Sequence, residues 1–192
     1  MTRNNYINKC KEYKNIHEGT PLHKFIIDNY NHINPLPVGY KMSYKDPWCA
    51  CFLSSCAFML NAKSFPYECS AERMRKKAKV IKEPYKGCLV FFGNRYASHV
   101  GLVTKITKTY IYTIEGNANN SVLERKYKID DAKIISYGAV SYDKEKNLLP
   151  DITIIKEVIQ GKWGNGEERI KMLTDAGYDA KKIQKAVNNA LK

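Results

Sequence analysis

The chain has 192 residues, 44% of them hydrophobic, with 32 basic against 19 acidic residues and a net charge of +13. That suffices for one core-bearing domain plus a small appendage, and it leaves no apolar run long enough to span a membrane as a helix, so membrane insertion is not expected. The charge draws polyanions, either a phosphate-bearing wall polymer or nucleic acid, but no nucleic-acid-binding motif surrounds the basic residues and none is expected to bind. The first residues lack the apolar core of a signal peptide, so the chain is expected to stay in the cytoplasm of the cell that makes it until something else releases it. The six cysteines, at 10, 49, 51, 56, 69 and 88, are then expected to be reduced. With no C-x-x-C pair, and with Cys49, Cys51 and Cys56 facing different ways on one helix, no metal and no cofactor is expected.

Residues 5–32 read as helical. Tyr6, Ile7, Cys10 and Tyr13 keep helical spacing, Gly19 interrupts, and Thr20-Pro21 restarts the pattern as N-cap and first residue. Leu22, Phe25, Ile26 and Tyr30 form the expected apolar stripe of that second helix. His17, His23 and His32 fall here with no metal-binding set around them. Asn34-Pro35-Leu36-Pro37 ends the helix. Asp46 is read as the N-cap of the next one, with Pro47 at its first position and Cys49 in its first turn, where free N–H groups and the helix dipole favour a thiolate. From Ala50 to Leu60 only Ser54 and Ser55 are polar, the pattern of a buried helix. Ser70 caps a short basic helix over 71–79, whose Arg73-to-Lys79 charges read as a solvated face. Strands follow at 88–92, 98–103, 110–115, 122–128 and 134–140. Helices first and consecutive strands after them predict an α+β fold with an antiparallel sheet.

Polar residues around 143–151 read as a linker between a domain over 1–142 and a tail over 152–192. The tail predicts three helices: 152–159, a glycine-rich loop at 161–166, 167–175 ended by Gly177, and 180–191 capped by Asp179 with Ile183, Ala186, Val187 and Leu191 at helical spacing. So small a bundle is marginal alone.

A cysteine nucleophile needs a base, and the base a third group that sets its tautomer. His99 lies on a predicted strand, sharing a face with Gly101 and Val103. Glycine there leaves room for a substrate or a neighbouring side chain. Glu115 and Asn117, two apart at the end of the next strand, can both point towards His99. One would accept the Nδ1 proton and aim Nε2 at the sulfur, and the other would polarise an oxyanion with the N–H of Cys49. The bland alternatives are a packing cysteine, a satisfied core histidine and a strand-end carboxylate. The order of nucleophile on helix, His on strand, and acid and amide on the next strand is what unites them.

Asp46-Pro47-Trp48-Cys49-Ala50, Ser98-His99-Val100-Gly101 and Ile114-Glu115-Gly116-Asn117 resemble the CHAP domains, cysteine- and histidine-dependent amidohydrolases/peptidases that cut peptidoglycan. The resemblance spans about residues 15–142. It implies a papain-like domain, helices packed on an antiparallel sheet, with Cys49 as nucleophile, His99 as base, Glu115 as orienting acid and Asn117 as fourth member. Tyr44, Asp46 and Trp48, leading into the helix, are candidates for holding substrate. Gly87-Cys88 departs from the family's usual Gly-Asp, which touches local hydrogen bonding rather than the nucleophile or base. The tail, in Val158-Ile159-Gln160-Gly161-Lys162-Trp163-Gly164-Asn165-Gly166, Arg169, Leu173, Ala176-Gly177-Tyr178-Asp179 and Gln184 to Asn188, resembles the wall-binding repeat of certain phage lysozymes, which recognises muropeptide. Trp163, Asn165, Arg169 and Tyr178 are its candidate wall-binding residues: ring faces for sugars, a guanidinium fork for a carboxylate. Trp163 and Tyr178 serve equally well as core of so small a bundle.

These resemblances imply a phage endolysin acting on the peptidoglycan of a Gram-positive bacterium, as a monomer or weak oligomer, released by a separate membrane pore. The expected bond is the N-acetylmuramoyl-L-alanine amide. The alternatives are a stem-peptide or cross-bridge endopeptidase and, from another class, a non-catalytic wall or polyanion binder.

Overall fold

Short polar side chains set most of the helix starts. Thr2 opens α1 (Arg3–Glu12) by accepting from the Asn5 N–H, and Thr20 opens α2 (Pro21–Asn31) by accepting from His23 N with Pro21 at the first position. Ser70 does the same for α4 (Ala71–Lys77) through the Arg73 N–H. These come from a computed structural model that describes residues 1–143 and 151–191. The chain divides into two units, Met1–Asp143 and Lys144–Lys192. Most of the expected linker, residues 144–150, lies outside the described residues.

The buried stripe of α2 differs from the expected one. His23, Ile26, Ile27 and Tyr30 face the core, while Leu22 and Phe25 are 48% and 47% exposed. Counting only apolar residues shifted the stripe, because the histidine that starts it packs its ring 4.8 Å from that of Trp48. Between α2 and α4 runs α3 (Cys49–Met59), with Cys49 through Ala57 all buried. Its polar Ser54 is satisfied twice: Oγ donates to the Glu68 carbonyl at 2.7 Å and accepts from the Glu68 N–H at 3.0 Å. Tyr6 of α1 donates to the Leu53 carbonyl at 2.9 Å, so α3 is held from both sides.

Six strands follow: β1 (Val80–Ile81), β2 (Leu89–Gly93), β3 (Ala97–Ile106), β4 (Tyr110–Glu115), β5 (Leu123–Lys128) and β6 (Ile134–Gly138). They form one sheet in the order β1-β6-β2-β3-β4-β5 with every pair antiparallel. The molecule is therefore α+β. Alternation divides the sheet's side chains between two cores. Leu89, Phe91, Val100, Leu102 and Ile114 pack with α1, α2 and α3. Val90, Phe92, Val103 and Ile111 pack with Cys88 and Tyr137 on the other face. Burial pushes the Cys88 thiol up to about 11, and its sulfur accepts from the Tyr85 N–H at 3.3 Å.

The second unit comprises α5 (Asp151–Ile159), α6 (Gly166–Ala176) and α7 (Ala180–Ala190). Gly177 ends α6 in the left-handed conformation, φ 95°, and Asp179 caps α7 through the Lys182 N–H. Ile154, Val158, Leu173, Ala180, Ile183 and Val187 make its core. Leu191, expected on that stripe, lies past the helix end and is 67% exposed.

Candidate active site

Asp46 does not cap α3. Its carboxylate accepts from the Ser43 N–H at 2.8 Å and from Tyr40 OH at 3.0 Å, closing the turn that precedes the helix. A side chain that bonds its own turn is taken from the helix end. The helix begins at Cys49, with Trp48 in the cap position and, among the described residues, no side chain closing its N-terminus. The first N–H groups of α3 thus open beside the sulfur with no intrahelical partner.

Cys49 borders a pocket of about 270 Å³ whose wall also includes Tyr40, Asp46, Cys69, Ala97 and Ser98. A larger groove of about 740 Å³, between Ile33–Val38 and Phe65–Tyr67, is lined by no cysteine, histidine or carboxylate. The start of β3 is tied to α4, since Ala97 N donates to Glu72 Oε2 at 2.8 Å. Two residues on, His99 sets its ring 5.8 Å from that of Phe92 and its Nε2 2.8 Å from Glu115 Oε2. A carboxylate only accepts, so Nε2 donates, and Nδ1 is the nitrogen left for the thiol. This reverses the expected use of the two ring nitrogens and leaves their division of labour intact.

Glu115 is wholly buried. Thr113 Oγ1 donates to its Oε1, Tyr127 OH donates to Oε2 at 3.3 Å, and Arg125 Nε stands 4.0 Å away. Thr113 is two residues earlier on β4, and Arg125 pairs with it from β5, so one sheet face supplies them all. These three supports were missed in the sequence, although their period-two spacing carries the signal. Gly101 also has its reason: a Cβ there would lie 2.7 Å from Glu115 Cγ, so glycine makes the space that the carboxylate fills. Burial by itself lowers the basicity of His99. Its hydrogen bonds to Cys49 and Glu115, and the charges of both, outweigh that and push it up to about 9.

Asn117 is not set beside them in the expected way. Strand β4 ends at Glu115, and Asn117 sits in the following turn with φ 55°, so alternation no longer governs where it points. Among the described residues no hydrogen bond joins it to His99 or Glu115. Gly116 between them packs its backbone against α3, where a Cβ would come within 2.5 Å of Phe52 Cβ.

Of the expected substrate-holding residues, Asp46 lines the pocket and Tyr44 is 43% exposed with its OH 3.0 Å from Asp28 Oδ1. Trp48 must be corrected. It has no exposed surface, donates from Nε1 to Glu18 Oε2 at 3.0 Å, and packs on His23 and Phe52. It is a core residue that anchors the start of α3.

The basic run also differs from a simple solvated face. Arg73 Nε and Lys77 Nζ each lie 2.8 Å from the buried Glu68 carboxylate, and Arg75 and Lys76 pair with Glu72. These pairings tie α4 to the Glu68 turn and order its own surface.

In the second unit, Trp163 and Tyr178 meet edge to face with centroids 5.7 Å apart, and Trp163 Nε1 donates to Glu157 Oε2 at 2.9 Å. Both are half-buried against the core, so their packing role is real. Three of Arg169's five N–H donors are engaged within the unit: Nε donates to the Gly164 carbonyl, Nη1 to Gln184 Oε1 and Nη2 to Asn165 Oδ1, at 2.9, 3.0 and 2.7 Å. It ties the glycine-rich loop to α7, and Asn165 serves as its acceptor.

Two family models match separate stretches of the chain. Residues 39–117 match the CHAP domain, and residues 153–191 match the CW_7 repeat. Cys49, His99, Glu115 and Asn117 all fall within the stretch that matches the CHAP domain, and the second match lies in the second unit. A lysozyme of Streptococcus phage Cp-7 is 48% identical over 46 residues, 24% of this chain and 14% of that protein. The chain thus matches about one-seventh of that relative's length. Crystal structures of Ly7917, one with the hydrolysing product of MDP, align with TM-scores of 0.45 and 0.44 at 13% and 12% identity, over 71% of this chain and 62% and 61% of those chains.

Proposed function

We propose that the chain is a peptidoglycan hydrolase of the endolysin kind, cutting an amide of the bacterial wall with Cys49, His99 and Glu115. The observation that carries this is the juxtaposition of a sulfur at an uncapped helix start with an imidazole whose far nitrogen is fixed by a buried carboxylate. Cys49 Sγ attacks the amide carbonyl, and the N–H of Cys49 supports the oxyanion that forms. The His99 imidazolium gives its proton to the leaving amine, producing a thioester and a free amine. Neutral His99 then takes a proton from water, which attacks the thioester and releases the acid and the thiolate. Glu115 does not transfer the proton. It holds the ring and stabilises its charge. Asn117 is the fourth member by its place in the motif, and Asp46 and Tyr44 border the substrate's approach. The CW_7 repeat keeps the enzyme on its insoluble substrate and raises its local concentration, with Trp163 and Tyr178 offering the ring surface they leave exposed.

The bond is the N-acetylmuramoyl-L-alanine amide in this reading, with a stem-peptide or cross-bridge amide as the alternative. Mass spectrometry of purified walls digested by the chain separates them. New N-terminal alanine marks the amidase, and new glycine or D-amino-acid termini mark the endopeptidase. Equal release of termini by Cys49→Ala, or no new termini at all, overturns the enzyme reading and leaves a wall-binding protein.

A further inference from the structure

The sheet face that packs under α3 continues past the helix. Ile114 belongs to the helix-side core, and Tyr112 and Tyr110 extend the same face of β4 outward. In register, Lys105 of β3 and Lys126 of β5 stand opposite Tyr112, and Lys128 stands opposite Tyr110. Lys126 Nζ lies 3.9 Å from the centre of the Tyr110 ring, and Lys105 Nζ lies 5.2 Å from that of Tyr112. All three lysines are exposed. The acid that β5 places on this face, Glu124, is paired with both Lys11 and Lys14, which leaves one net positive charge at its edge. In α4, Arg73, Arg75, Lys76 and Lys77 pair with Glu68 and Glu72, whereas among the described residues no carboxylate pairs with Lys105, Lys126 or Lys128.

We propose that this lysine-and-tyrosine face of β3, β4 and β5 binds the phosphodiester polymer of the wall, a polyol-phosphate chain, as a second point of attachment separate from the CW_7 repeat. Lys126 and Lys128 are spaced by roughly 7 Å along one strand, and Lys105 and Lys126 by roughly 10 Å across two, a ladder suited to repeated phosphates. Lysine offers a point charge that suits a flexible polymer, whereas reading base edges favours arginine or amide forks. The tyrosine rings already lie under ammonium groups, so they are not open platforms for stacked bases. Both features favour a polyanion without bases over a nucleic acid. The inference rests on the wall-hydrolase reading for where the chain meets that polymer.

The test uses the full chain with Cys49→Ala, so that nothing is digested, and compares it with the same chain carrying Lys105→Gln, Lys126→Gln and Lys128→Gln. Each is titrated onto isolated poly(glycerol phosphate), intact walls, and walls stripped of phosphodiester polymer by hydrofluoric acid. The triple substitution is expected to weaken binding to poly(glycerol phosphate) and to intact walls by about tenfold and to flatten its salt dependence. On stripped walls the two chains should bind alike. The corresponding triple arginine variant, which keeps the charge, should retain binding. Equal affinity of parent and glutamine variant for poly(glycerol phosphate) overturns the proposal, as does a parent that prefers DNA to that polymer at physiological salt through these lysines. Hydrolysis of a soluble wall fragment, measured with Cys49 intact, is expected to be the same with and without the glutamines. That readout tests the enzyme reading separately from polymer affinity.

Discussion

His99 stays charged to about pH 9 because two negative partners outweigh the cost of burying its ring. The raised value has two consequences with the same sign. An imidazolium is needed to protonate the leaving amine, so hydrolysis of a soluble fragment should fall as pH rises through about 9. The stability gained from charged His99 is complete below its ordinary value near 6.5 and disappears as pH climbs through about 9. Glu115→Gln removes one of the charges that raises the value. The alkaline limb of its pH profile should move to lower pH, and turnover should drop by roughly 10²-fold or more. An unchanged alkaline limb would mean that Glu115 does not set the basicity of His99. At this scale the sequence pointed to Cys49 and His99 as neighbours but hid what surrounds them. Thr113 and Tyr127 look like ordinary strand residues, and nothing in Trp48 announces that Glu18, 30 residues earlier, will accept from its indole.

At the scale of elements, two glycines separate positioning from packing. Gly101→Ala pushes a Cβ against Glu115 Cγ, so it should cut turnover by roughly tenfold to a hundredfold through a displaced carboxylate. Gly116→Ala collides instead with Phe52 on α3 and should lower unfolding free energy by about 1–3 kcal/mol. Kinetics on a soluble fragment and denaturant melts of both variants check the contrast. A second test concerns Glu72, held at about 2 chiefly by the Arg75 hydrogen bond and also by the Ala97 N–H. Its depressed value contributes stability above about 4.5 that fades as pH falls towards 2. Glu72→Ala should therefore flatten that part of the acid-stability curve and slow turnover by loosening the start of β3. The order of helices and five of the strands were legible because alternation, Thr-Pro, Ser70 and Asp179 are local signals. The two-residue β1 was not, since Val80–Ile81 is too short to show a period. The start of α3 was misplaced because Asp46 had two uses open to it, and the turn took it.

At the scale of the whole molecule, two units with separate hydrophobic cores predict separable unfolding. Leu173→Ala empties the centre of the smaller core and should cost about 2–5 kcal/mol there. Calorimetry should show the transition of the second unit lowered or lost while that of the first stays in place. Hydrolysis of soluble fragments should be retained and lysis of intact walls reduced. A single transition that moves as a whole would contradict the division. The division of labour rests on Cys49, and cysteine labelling tests it most directly. Cys69, partly exposed, is more accessible than Cys49, which is 5% exposed, so accessibility alone favours Cys69 as the first thiol to react. Activation by His99 predicts the reverse. Brief alkylation at neutral pH, mapped by peptide mass spectrometry, should mark Cys49 ahead of the other five cysteines, and His99→Ala should abolish that lead. Labelling that reaches Cys69 first in the parent, or a lead for Cys49 that survives His99→Ala, would contradict the account.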